Sequence, residues 1–223
     1  MNDLAKYLDL ANHHANATEE DVRVICEKVK KYGFNSAFVN PAYVVLAKSL
    51  GVKVGTVIAF PLGQEILAIK LAAARAALTD GADELDVSLN VGYIKEGKWD
   101  KVTKEMKAIV GATREISTGK IVKFIPECGY LTDEEIKRAA ELMVEAGADF
   151  FKTCSGMGPR GATLDDVRLV RQTVGQKIKI KVAGGIETYD QAREFINAGA
   201  DRIGTSHAVE IVTGAAAQKS SGE

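Results

Sequence analysis

The chain has 223 residues, 46% of them hydrophobic, and its 29 basic and 30 acidic side chains nearly cancel to a net charge of -1. Length and apolar content suit one large domain spanning 1–223, a size that single barrels commonly reach. The charge balance leaves no basic field for nucleic acid or an anionic membrane surface, and no apolar run is long enough to cross a bilayer.

From the N-terminus, Met1-Asn2-Asp3-Leu4-Ala5-Lys6 lacks the basic-then-apolar order of a secretory signal. The first strand candidate covers 7–12 and runs through Asp9 toward His13-His14. Thr18-Glu19-Glu20-Asp21 then reads as a capping box. The threonine oxygen accepts from an early amide, the later acid reaches back, and the three acids suit the positive end of the helix dipole. Cys26 lies in that helix. With Cys128 and Cys154 it makes three widely spaced cysteines, which fit small buried thiols in a reducing cytosol rather than a disulfide framework.

Gly33 closes the helix before a strand candidate at 36–40, and 54–60 is the next. From there a phrase recurs: Gly81-Ala82-Asp83, Gly147-Ala148-Asp149 and Gly199-Ala200-Asp201, each after a helix-like stretch and before an apolar one. Glycine is favoured just past a helix end because it takes positive φ without a Cβ penalty. The later strand candidates are 84–90, 121–127, 150–155, 178–184 and 202–206, eight in all. Trp99 and the helical stretch 100–116 read as packing, and Thr132, Thr163 and Thr188 open three more capping boxes. Helix, glycine stop and strand in repetition imply parallel strands with helical crossovers. Eight such units predict an α/β fold of the TIM (β/α)8 type, with a doubly wound open sheet as the alternative. No linker interrupts the pattern, and 216–223 reads as a frayed tail.

Alternation within the strands separates core from chemistry. In 84–90, Leu85, Val87 and Leu89 share the face expected against the helices, leaving Glu84, Asp86, Ser88 and Asn90 inward. Lys123 opposes Val122 and Phe124, and Lys181 opposes Ile180 and Val182. Asp86, Lys123, Lys152 and Lys181 are therefore expected inside the barrel. One reading is a structural ion-pair network. The other is chemistry, because the strand C-terminal ends are where barrel active sites form. A buried amine must be paired or must lose its proton, and a neutral amine attacks carbonyl carbon. Two such lysines make Schiff-base carbon–carbon chemistry the leading idea.

Phe151-Lys152-Thr153-Cys154-Ser155-Gly156 followed by Gly161-Ala162-Thr163-Leu164-Asp165-Asp166-Val167 resembles the Schiff-base strand and next helix of the deoxyribose-phosphate aldolase family. Val39-Asn40-Pro41-Ala42-Tyr43, Val57-Ile58-Ala59-Phe60-Pro61-Leu62-Gly63, Lys181-Val182-Ala183-Gly184-Gly185-Ile186 and Arg202-Ile203-Gly204-Thr205-Ser206 resemble it in the same order. The resemblance implies a class I aldolase that cleaves 2-deoxy-D-ribose 5-phosphate to acetaldehyde and D-glyceraldehyde 3-phosphate without metal or other cofactor. It implies Lys152 as the Schiff-base lysine, Lys181 as its charged neighbour and Asp86 as the proton-relay carboxylate. It implies substrate or phosphate binding by Asp9, Lys123, Gly156, Gly184, Gly185, Gly204 and Ser206, and a homo-oligomer in the cytoplasm. Glycine turns after the seventh and eighth strands suit phosphate in any barrel of this type.

The resemblance breaks in the first strand, in the loop after Lys152, where Met157, Pro159 and Arg160 stand in place of small residues or a lysine, and in a tail without tyrosine. The family's first strand reads Asp-His-Thr, two further residues, then Lys-Pro; here Asp9 is kept, but Leu10, Ala11, His14 and Ala15 fill the other named positions. That loop borders the substrate, so another aldehyde pair is the alternative activity, and a non-catalytic phosphate-binding barrel is the third reading. Arg160 is either a bidentate phosphate donor or a solvated loop charge. His13, His14 and His207 match no zinc-site spacing, so no metal is expected.

Overall fold

A computed structural model describes residues 3–214. The tail at 216–223 lies outside the described residues. Eight parallel strands close into a barrel in chain order: β1 (Leu8–Asn12), β2 (Ser36–Val39), β3 (Val54–Ile58), β4 (Glu84–Ser88), β5 (Ile121–Ile125), β6 (Phe150–Lys152), β7 (Lys179–Ala183) and β8 (Arg202–Thr205). Between and after them run α1 (Glu19–Tyr32), α2 (Val44–Ser49), α3 (Leu67–Thr79), α4 (Val91–Lys95), α5 (Trp99–Ile116), α6 (Asp133–Glu145), α7 (Leu164–Val174), α8 (Tyr189–Asn197) and α9 (Ala208–Thr213). This is the TIM barrel that the alternating units predict, and the open-sheet alternative is excluded by the β1–β8 pairing.

All four expected capping boxes form, at Thr18, Thr132, Thr163 and Thr188. The recurrent Gly-Ala-Asp has a second purpose beyond stopping a helix. Asp83 accepts the Val54 amide at 3.0 Å, Asp149 the Val122 amide at 2.8 Å and Asp201 the Ile180 amide at 2.8 Å. Each aspartate thus satisfies an N–H near the start of the preceding strand, on the face of the barrel away from the site. Arg114 and Arg171 neutralise the second and third, and Lys48 and Lys120 the first.

The hydrophobic core lies between strands and helices. Leu85, Val87, Phe124, Phe151, Ile180, Val182 and Ile203 are buried outward from the sheet. Inside the barrel the pattern inverts: Asp9, Glu84, Asp86, Lys123, Lys152 and Lys181 are all buried. Parallel register aligns them, with Asp86 opposite Lys123 and Lys152 opposite Lys181.

Most strands end earlier than alternation suggests. Strand β3 stops at Ile58, because Ala59 takes a φ of 55°. Strand β5 stops at Ile125, and Glu127 takes a φ of 60°. A non-glycine residue there carries local strain. The inward-facing pattern continues past the last ladder bond because those residues belong to the site, not to the sheet.

Candidate active site

At the C-terminal end of the barrel, a cavity of about 220 Å³ opens over the strands. Lys152 and Lys181 reach its floor, and Phe60, Met157, Ile186 and the three histidines of the chain line its wall and mouth. Asp86 lies directly beneath. Its Oδ2 is 2.9 Å from Lys152 Nζ and 2.9 Å from Lys181 Nζ, and its Oδ1 accepts from Lys123 Nζ at 3.0 Å. Deeper still, Lys123 donates to Glu84, which also meets Lys53 and Arg202. Asp9 accepts from Arg202, Asn35 and Ser36, and its other oxygen is 2.8 Å from Lys181 Nζ.

The charge ledger of this network decides its chemistry. Lys123, Lys152, Lys181 and Arg202 are four interior cations, against three carboxylates, Asp9, Glu84 and Asp86. Holding all four charged in a dry interior is costly. The carboxyls of Asp9 and Asp86 ionise well below the usual range despite burial, because lysines surround them. Lys123 has both Glu84 and Asp86, which outweigh burial and push its ammonium above the ordinary lysine value. Lys152 has only Asp86. Burial pulls its pKa down, and the charges of Lys181 and Lys123 add to that against the pull of Asp86. Lys152 is therefore the amine poised to be neutral and nucleophilic.

Two features make room for this arrangement. A Cβ on Gly204 would stand 2.9 Å from Lys181 Cε, so the bare β8 backbone leaves room for the Lys181 side chain as it lies. A Cβ on Gly184, whose φ is 91°, would meet Gly161 Cα at 2.9 Å and Gly156 Cα at 3.2 Å. The loops after β6 and β7 thus touch backbone to backbone. Thr205 Oγ1 donates to Ile186 O at 2.7 Å and ties the loop after β8 to them. Among the described residues, the amides of Gly156, Gly184, Gly185 and Ser206 have no hydrogen-bond acceptor. They edge the cavity with Gly204, a set of free donors suited to an anion.

The expected residues divide by depth. Lys152, Lys181, Gly156, Gly184, Gly185, Gly204 and Ser206 come together on the cavity wall. Asp86 touches the cavity only through the lysines, and Asp9 and Lys123 do not reach it. Both are fully buried in ion pairs, Asp9 with Lys181 and Lys123 with Asp86, beneath the residues that line the cavity. Arg160, whose side chain is 38% exposed, grips Asp166 through both terminal nitrogens at 2.6 and 2.9 Å.

Three contributors went unread in the sequence. The Phe38 ring lies 3.5 Å from Lys181 Nζ and 4.8 Å from Lys123 Nζ, a cation–π seat between the two; its inward parity with Ser36 was the available signal. Glu127 holds the loop after β6 by accepting the Ser155 amide. His13 packs on Phe60 at 5.2 Å and edge-on to Phe38 at 6.4 Å. Burial, the dominant cause, pushes its pKa down to about 3, so the ring is neutral. Among the described residues no group of three or more His, Cys, Asp or Glu is placed to hold a metal ion.

The family model for DeoC/LacD family aldolases matches residues 4–217. This chain belongs to that aldolase family. Within it, a deoxyribose-phosphate aldolase of Thermococcus gammatolerans is 48% identical over 96% of this chain and 96% of the relative. Another, from Caldanaerobacter subterraneus, is 45% identical over 94% and 92%. Among solved structures, the aldolase QR15 superposes with a TM-score of 0.90 at 41% identity, covering 96% of each chain. A deoxyribose phosphate aldolase from Aeropyrum pernix, described as a unique tetramer, has a TM-score of 0.87 at 36% identity over 95% of this chain and 90% of its own. The aldolase family membership and the paired lysines agree in class: a lyase. Among the described residues no helix is long and apolar enough to cross a membrane.

Proposed function

We propose that this aldolase cleaves 2-deoxy-D-ribose 5-phosphate reversibly to acetaldehyde and D-glyceraldehyde 3-phosphate through a Schiff base on Lys152. The observation that carries the reading is the pair of lysine Nζ atoms sharing one Asp86 oxygen at 2.9 Å each on the cavity floor. The neutral amine of Lys152 attacks the substrate C1 carbonyl, and loss of water leaves an iminium. Its electron demand draws the C2–C3 bonding pair into an enamine as the C3 hydroxyl gives up its proton, releasing the phosphorylated aldehyde. Protonation of the enamine at C2 and hydrolysis free acetaldehyde and restore Lys152. On this reading Asp86, ionised and bridging both lysines, relays the proton between them. Lys181, fixed by Asp9 and Phe38, keeps positive charge beside Lys152. The free amides after β6, β7 and β8 take the phosphate.

The same reading makes the barrel a single catalytic unit within one domain. It also makes the protein a cytoplasmic homo-oligomer serving deoxyribonucleotide sugar breakdown, in line with its curated relatives and the tetrameric structural neighbour. The test is borohydride reduction in the presence of deoxyribose 5-phosphate, followed by peptide mapping. A reduced adduct on Lys152 is expected. An adduct confined to Lys181, or none, overturns the assignment. A panel of other phosphorylated sugars separates this substrate from a different aldehyde pair.

A further inference from the structure

The end of β1 and the loop after it depart from the family pattern, and a hydroxyl-bearing position there is Ala11, which lines the cavity. Two residues on, His13 lines the same cavity as Lys152 and Lys181. Its ring is clamped between Phe60 and Phe38, and Phe60 itself lies 5.6 Å from Lys152 Nζ. The Nδ1 atom of His13 is buried and hydrogen-bonds nothing in the protein. A buried polar atom without a partner costs stability and calls for an explanation. Here the ring stays neutral, with Asn40 beside it as a side-chain partner, so the unpartnered Nδ1 can meet a hydroxyl without adding charge to a site already rich in cations. His13 lines the same cavity as Lys152 at one end and the loops after β7 and β8 at the other.

On the Schiff-base reading above, we propose that His13 is a specificity-determining residue that hydrogen-bonds a hydroxyl of the sugar's acceptor portion, taking over hydroxyl recognition that this segment otherwise lacks. His14, exposed, and His207, at the start of α9, line the mouth instead. They lack the aromatic clamp that fixes His13.

The test uses the full-length protein in the synthetic direction, with acetaldehyde as donor and either D-glyceraldehyde or propanal as acceptor. The two acceptors have the same carbon count, and only the first carries hydroxyls. In His13→Leu, the ratio of kcat/KM for D-glyceraldehyde over propanal is expected to fall about 10-fold, the size of one well-placed hydrogen bond. His13→Asn sets an amide near the place of Nδ1 and is expected to recover part of that ratio. A ratio unchanged in His13→Leu, or an equal loss on both acceptors that His13→Asn does not relieve, overturns the proposal. If His13→Leu does not fold, His13→Phe carries the same test. Borohydride trapping in the unmutated protein keeps the two ideas apart: no Lys152 adduct there sinks the Schiff base, whereas an adduct with an unmoved acceptor ratio sinks only the role of His13.

Discussion

Lys123 and Lys152 are the same residue type, both buried, both facing into one barrel and both bonded to Asp86. Their pKa values nevertheless move in opposite directions. Lys123 sits deep and bonds two carboxylates, Glu84 and one oxygen of Asp86, with Asp9 nearby. Lys152 sits at the cavity floor and shares its single carboxylate oxygen with Lys181. Burial alone does not make a nucleophile. What distinguishes the two is how many carboxylates each amine can claim, and the interior holds one carboxylate too few.

The sharpest way to break this contrast is to remove each amine in turn. Lys152→Met is expected to lower kcat/KM by on the order of 10⁴-fold, as loss of a covalent nucleophile does. Its unfolding free energy is expected to stay close to that of the unmutated protein, because an amine held below its ordinary pKa contributes little to folding. Lys123→Met is expected to show the reverse: a loss of roughly 3–5 kcal/mol in urea unfolding, the cost of stranding a buried carboxylate, with the borohydride adduct still on Lys152. A stable Lys123→Met protein would show that the deep pair is not structural.

Lys181→Met sharpens the electrostatic half. Lys152 must be neutral to attack, so kcat/KM rises with pH through its native pKa, which lies below the ordinary lysine value. Removing the Lys181 charge raises that pKa and hands Lys152 the full pull of Asp86. The acid limb of the profile is therefore expected to move upward by roughly one to two pH units. A limb that stays put, or moves down, would mean that Lys181 does not set the Lys152 proton affinity.

The smallest effect is expected at Arg160. Its two-pronged hold on Asp166 and its bond to Cys128 O anchor the loop after β6. Arg160→Lys is expected to cost about 1 kcal/mol in stability, with KM for deoxyribose 5-phosphate unchanged within error. A large KM rise would reinstate it as a phosphate ligand.

Much of this was legible without coordinates. The capping boxes, the glycine stops and the eight alternations are local signals, and local signals survive in a one-dimensional string. Side-chain parity placed Asp86, Lys123, Lys152 and Lys181 inside the barrel because the strand period of two leaves no other choice. Where parity overran, as at 59–60 and 126–127, the backbone turned to build the site, and alternation carries no mark of that turn.

By itself, then, the sequence determined the barrel, the inward face and, through its likeness to aldolases, the two lysines. Tertiary structure decided depth. It set Asp9 and Lys123 beneath the floor, seated Phe38 against Lys181, diverted Arg160 to Asp166 and left His13 with an unmet nitrogen on the cavity wall. Depth follows from closure of β8 onto β1 and from the register between strands. These are long-range relations that no window of sequence contains, and it is depth that decides which amine goes without a carboxylate of its own.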